Sequence, residues 1–111
     1  MSEAAKRAVN RLEISGVVTE LQSLRYTAAG IPVVEFRIEH ESERAEAGAR
    51  RKVHAQIEAV AFEAQARLVA AGPMGRPLKA EGFLCARNRR SKKPVLHVTN
   101  IEFIEVTNTG N

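Results

Sequence analysis

Apolar and polar side chains alternate along much of this chain, with the two-residue period of half-buried strands. Leu12 and Ile14 alternate with Arg11, Glu13 and Ser15, and the phase shifts after Gly16, where Val17, Val18, Leu21 and Leu24 follow. A glycine inside such a run marks a bulge or a sharp bend. The expectation is one long first strand over residues 10–24, coiled at Gly16; two short strands joined at the glycine is the alternative. Residues 25–32 form a connection ending in Gly30-Ile31-Pro32. Val34, Phe36, Ile38 and His40 then alternate with Glu35, Arg37 and Glu39, a second strand. Residues 41–48 are acidic and without period, so they read as an exposed hairpin loop whose acids only meet solvent. A third strand over residues 50–60 places Val53, Ala55, Ile57 and Ala59 on one face. Its other face carries Lys52, His54, Gln56 and Glu58.

The period changes over residues 59–71, where Phe62, Ala66, Val69 and Ala70 share one helical stripe in an alanine-rich stretch. Gly72-Pro73 is a stop signal, which gives a helix of about three turns. Leu78, Ala80, Gly82 and Leu84 return to alternation, and residues 95–106 form the last strand, with a phase slip near Asn100-Ile101 that suggests a bulge. Three strands, one helix and two strands, with a long first strand bent at glycine, describe an all-β fold. It is the five-stranded Greek-key barrel of the oligonucleotide-binding (OB) fold, with one short helix between strands 3 and 4. A half-open α+β sheet is the rival architecture. The barrel is expected over residues 10–106, after a flexible leader (1–9) and before a short polar tail (107–111).

At 111 residues the chain is long enough for one modest core. Its 44% hydrophobic and 27% charged residues exclude disorder, and no apolar run approaches the roughly 20 residues of a membrane span. The leader has no apolar segment after its charges, so it does not read as a signal peptide. Cys85 is the single cysteine, which suits a reducing compartment; the cytoplasm is expected. His40, His54 and His97 are isolated and have no metal-ligand spacing. No glycine-rich phosphate loop and no paired nucleophile and base are visible, so neither a cofactor nor an enzymatic activity is expected.

Charge changes the picture most. Arg87-Asn88-Arg89-Arg90-Ser91-Lys92-Lys93 holds five cations in seven residues, closed by Pro94. The chain carries 17 Lys+Arg against 13 Asp+Glu; without those five, 12 cations face 13 acids. A concentrated cationic loop on a near-neutral body is the footprint of a polyanion partner. In an OB fold the loop between strands 4 and 5 borders the binding face. Arg25, Arg37, Lys52 and His54 are expected to extend the track, with Tyr26 as a stacking residue or a lid. Phe36, Phe62 and Phe103 are assigned to the core, whereas Phe83 reads either as an exposed stacking platform or as core or dimer burial. Five phosphate contacts on a single strand would give a log-log salt slope of about −3.5.

Asn10-Arg11-Leu12, Ser15-Gly16, Gly30-Ile31-Pro32, Phe36, Glu39-His40, Glu46-Ala47-Gly48, Gly82-Phe83 and Val95-Leu96-His97 with Ile101-Glu102 together resemble the primosomal replication protein N (PriB) family over residues 10–106. Its broader relatives are the bacterial single-stranded DNA-binding proteins. The resemblance implies a homodimeric OB-fold protein that binds single-stranded DNA. It also implies work with a PriA-type restart helicase and other primosome proteins. The family's basic loop falls on Arg87, Arg89, Arg90, Lys92 and Lys93, and a basic position after strand 1 falls on Arg25. Two positions depart from it: a stacking Trp of the best-known relatives corresponds to His54, and an Arg at the end of strand 2 to Glu41. A general single-stranded DNA-binding protein is one alternative, although residues 107–111 lack the Gly/Pro/Gln-rich acidic tail expected of it. A scaffold whose basic loop docks on an acidic protein is another. Residue chemistry leaves DNA and RNA both open.

Overall fold

The computed structural model describes residues 3–72 and 74–105. In chain order the elements are α1 (Glu3–Arg7), β1 (Leu12–Leu21), β2 (Arg25–Tyr26), β3 (Pro32–Glu46), β4 (Ala49–Phe62), α2 (Glu63–Ala71), β5 (Pro77–Ala86) and β6 (Pro94–Phe103). The sheet runs β1-β5-β6-β4-β3, and β1 returns to pair with β3. Five strands therefore close into a barrel, and the half-open sheet is excluded. The one short helix between the third and fourth barrel strands is α2. All the barrel pairings are antiparallel except β4 with β6.

Closure depends on β1 serving two partners. Leu12 to Val17 pair with β5, and Val17 to Leu21 pair with β3. The hand-over falls at Gly16, where a Cβ atom would collide with the Glu39 carbonyl and the Ile38 side chain. The first strand is thus continuous and turns where glycine admits the neighbouring backbone. His40 pins the same corner, with Nδ1 2.7 Å from the Ser15 carbonyl and Nε2 2.8 Å from the Ser42 hydroxyl. The expected slip in the last strand falls at Thr99, one residue early. The register between β5 and β6 jumps there, and the Thr99 hydroxyl donates to the Glu81 carbonyl at 3.1 Å.

Inward residues of every barrel strand make the main core, among them Val34, Phe36, Ile38, Ala59, Leu78 and Leu96, joined by Ala66 and Val69 from α2. Val33, Val60 and Val95 have the opposite phase and form a second, smaller buried cluster on the outer face. None of the described helices is long and apolar enough to cross a membrane.

Several expectations need correction. Residues 41–46 are not loop: β3 continues to Glu46 and pairs residue for residue with β4, so a two-stranded ribbon projects from the barrel. Opposite charges, which carry no apolar period, hold it: Glu43 meets Arg50 at 2.7 Å and Glu46 meets Arg51 at 2.9 Å. These acids are paired rather than merely solvated. Ala47 (φ 52°) and Gly48 (φ 80°) form its tip, the two successive left-handed residues of a tight hairpin. The helix begins at Glu63 rather than Ala59, because residues 59–62 complete β4. Within the 25–32 connection, Arg25 and Tyr26 pair with Val33 and Pro32 as the short β2. Glu3–Arg7 form an exposed helical turn within the leader, the first strand spans only Leu12–Leu21, and the last ends at Phe103. Val106 and the polar tail lie outside the described residues.

Candidate nucleic-acid interface

The basic loop, residues 87–93, joins β5 to β6 and has an internal frame. Asn88 Oδ1 accepts from the backbone N–H of Arg90 at 2.9 Å and of Ser91 at 2.8 Å, a side-chain-closed turn. The Arg87 N–H donates to the Lys93 carbonyl at 2.9 Å and closes the base of the loop. Arg89, Arg90 and Lys92 project from this frame, exposed and without an ion-pair partner among the described residues.

The two cations at the base are held differently. Glu58, on the outer face of β4, gives one carboxylate oxygen to Arg87 at 2.6 Å and the other to Lys93 at 2.7 Å. Arg37 stands 3.9 Å away on the neighbouring strand and also bonds Glu20 of β1. Glu35, on the outer face of β3, pairs with Arg25 at 2.6 Å and with Arg87 at 3.6 Å. Arg25, Arg37, Arg87 and Lys93 are therefore gathered around the carboxylates of Glu20, Glu35 and Glu58. The hydrogen bond from Lys93 is the chief cause that holds the Glu58 carboxyl below its usual range. Partial burial pulls the other way, and the charges of Lys93, Arg87 and Arg37 add to the lowering. Strand parity was the available signal, since Glu35, Arg37 and Glu58 share the outward phase.

Lys52 and His54 lie on this face too, paired across the ribbon with Glu43 and Glu41. His54 Nδ1 is 3.3 Å from Glu41. His54 is four and Lys52 six residues along β4 from Glu58, roughly 13 and 20 Å from the loop's anchor at about 3.3 Å per residue. They form a separate station rather than part of the loop cluster. Tyr26 is 57% exposed beside Arg25.

Beside the loop, three rings line the outer face. His97 of β6 stacks on Phe83 of β5, with centroids 5.1 Å apart and planes 17° off parallel, and faces Phe62 of β4 at 6.3 Å. Phe62 is 40% exposed and Phe83 41%. Phe62 is thus not a core residue: it stands one full period beyond Val60, on the outward face of β4 rather than on a helix. Phe83 is likewise outside the barrel core, which removes that one of its readings. Phe62 and His97 share a groove of about 320 Å³ with Glu35, Arg87 and Asn88, so two rings and one loop cation, Arg87, open on one space. Flat apolar rings beside mobile cations suit an extended strand of bases and phosphates. Among the described residues no three His, Cys, Asp or Glu side chains cluster as a metal site.

Comparison with known proteins agrees with this geometry. Residues 10–100 match the family model described as another single-strand binding protein family. The chain is similar to the replication restart protein PriB of Nitrosomonas europaea, with 37% identity over 95 residues, 86% of this chain and 88% of that one. The solved structure of the priB protein from Ralstonia solanacearum superposes with a TM-score of 0.77 at 31% identity, covering 88% of this chain and 100% of that one. A deletion mutant of the single-stranded DNA binding protein from Thermus aquaticus has the same fold, with a TM-score of 0.72 at 20% identity over 90% of this chain and 52% of that one. With an OB barrel, a cationic loop between β5 and β6 and this likeness over most of its length, the chain belongs to the PriB replication restart family of single-strand-binding proteins, a family of binding proteins rather than enzymes.

Proposed function

We propose that this protein binds single-stranded DNA on the outer face of β4, β5 and β6. In this reading it serves as an accessory of replication restart, a cytoplasmic homodimer that bridges DNA to a PriA-type helicase and other primosome proteins. The observation that carries the DNA assignment is the groove that Arg87, at the base of the cationic loop, shares with Phe62 and His97, with Phe83 stacked on His97. Phosphates fit Arg89, Arg90 and Lys92, and unstacked bases fit the exposed ring faces. A stacked duplex hides its base faces and uses only the cations, so the rings favour single strands. The helicase and dimer assignments are supported by family resemblance. Lys52 and His54 serve a strand long enough to run on to the ribbon.

The triple substitution of Arg89, Arg90 and Lys92 by Ala tests the reading, with binding to a fluorescent oligothymidine and to the helicase measured separately. DNA affinity at low salt is expected to fall at least tenfold and the salt slope to flatten by about 2, at roughly 0.7 per lost phosphate contact. Unchanged DNA binding with weakened helicase binding would instead favour the docking scaffold.

A further inference from the structure

We propose that Glu58 and Glu35 are built-in competitors of the nucleic-acid backbone, keeping Arg87 and Lys93 from the phosphates of a bound strand. The inference rests on the single-strand reading above and adds a determinant of affinity to it. The five loop cations divide cleanly. Three project without a partner among the described residues, and two are tied to carboxylates of the very sheet that the strand would cross. Glu58 presents Oε1 to Arg87 and Oε2 to Lys93, the way one phosphate would bridge the same two donors with two of its oxygens. Glu35 repeats the pattern between Arg25 and Arg87.

The pairs lie where a bound strand would pass. Glu58 is 24% exposed, Arg87 42% and Lys93 59%, so water and a strand both reach the pairs. Surface pairs of this kind are weak and screened by salt. A carboxylate beside an incoming phosphate also repels it, so the acids act twice against binding: they occupy the cations and they stay close to the anion. The number of cations in the loop therefore overstates the number available. The free protein engages a strand through Arg89, Arg90 and Lys92, with a salt slope near −2 rather than −3.5, at about 0.7 per phosphate.

The test is anisotropy of a fluorescent oligothymidine with wild type, the double variant Glu35→Gln/Glu58→Gln, and Glu39→Gln, across a salt series. Glu39 removes one charge from the same outer face without freeing a loop cation, since its side chain bonds Gln56. The double variant is expected to bind more tightly at low salt, with a slope of about −3.5 from the loop alone, steeper by about 0.7 where the Arg25 that Glu35 releases engages too. Its curve should part from wild type by at least about 25-fold per tenfold drop in salt, the effect of two added phosphate contacts from the loop. Glu39→Gln is expected to keep the wild-type slope. An unchanged slope in the double variant would overturn the competitor while leaving single-strand binding intact. Weaker binding would overturn it too, since the acids would then be positioning the loop. If neither wild type nor the double variant binds, the single-strand reading falls and the competitor with it. Thermal melting of the double variant separates weaker binding from failure to fold.

Discussion

Truncating Phe62 distinguishes a buried residue from a binding one. A core phenylalanine cut to alanine costs about 3–5 kcal/mol of stability. Phe62 is 40% exposed and faces His97 across 6.3 Å, so Phe62→Ala is expected to lower the melting temperature only slightly. Oligothymidine affinity should fall by about 1–3 kcal/mol, the range for one base–aromatic stack. A large loss of stability with unchanged binding would return Phe62 to the core. The same residue shows how one position is misread. Placed on a helix beginning at Ala59 it joins the stripe of Ala66 and Val69; placed in β4 it shares the outward phase of Glu58 and Val60. Which element owns the residue decides which way it faces.

Element boundaries account for most of what the sequence hid. Alternation was legible wherever one face is buried and the other wet, so the five barrel strands, the bend at Gly16 and the bulge in the last strand could all be read. The outer ribbon of β3 and β4 has no buried face, hence no apolar period, and its pairing rests on complementary charge that a hydrophobic pattern does not register. The helix start is another such case. Glu63 opens α2 with φ 56°, a left-handed conformation that a side chain makes costly, and no side chain caps the helix. A glycine there would have marked the boundary. Glu63→Gly is accordingly expected to raise stability by about 0.5–1 kcal/mol, as relief of the strain outweighs the lost first-turn acid. Chemical denaturation measures it, and a destabilised variant would show that the carboxylate or the backbone restriction matters more. In the candidate site, the loop and its cations were legible because they cluster in sequence. The ring ladder and the Glu35–Glu58 contacts were not, since they join β3, β4, β5, β6 and the loop across the barrel.

For the whole molecule, charge has two scales. Seven residues carry the excess that makes the chain basic, yet the base of that loop is neutralised by the sheet beneath it. The barrel supplies a rigid outer face, the loop supplies cations at its edge, and the rings supply flat surfaces between them. The ribbon station at His54 holds a His–Glu41 pair, and the exposed Phe62 ring lies on the far side of the loop's anchor at Glu58. Single-strand preference is decided by fluorescence anisotropy with single- and double-stranded DNA of equal length across a salt series. Tighter binding of the single strand at every salt concentration is predicted, with a slope near −2, about 0.7 for each of three phosphates. Equal or tighter binding of the duplex would contradict the account.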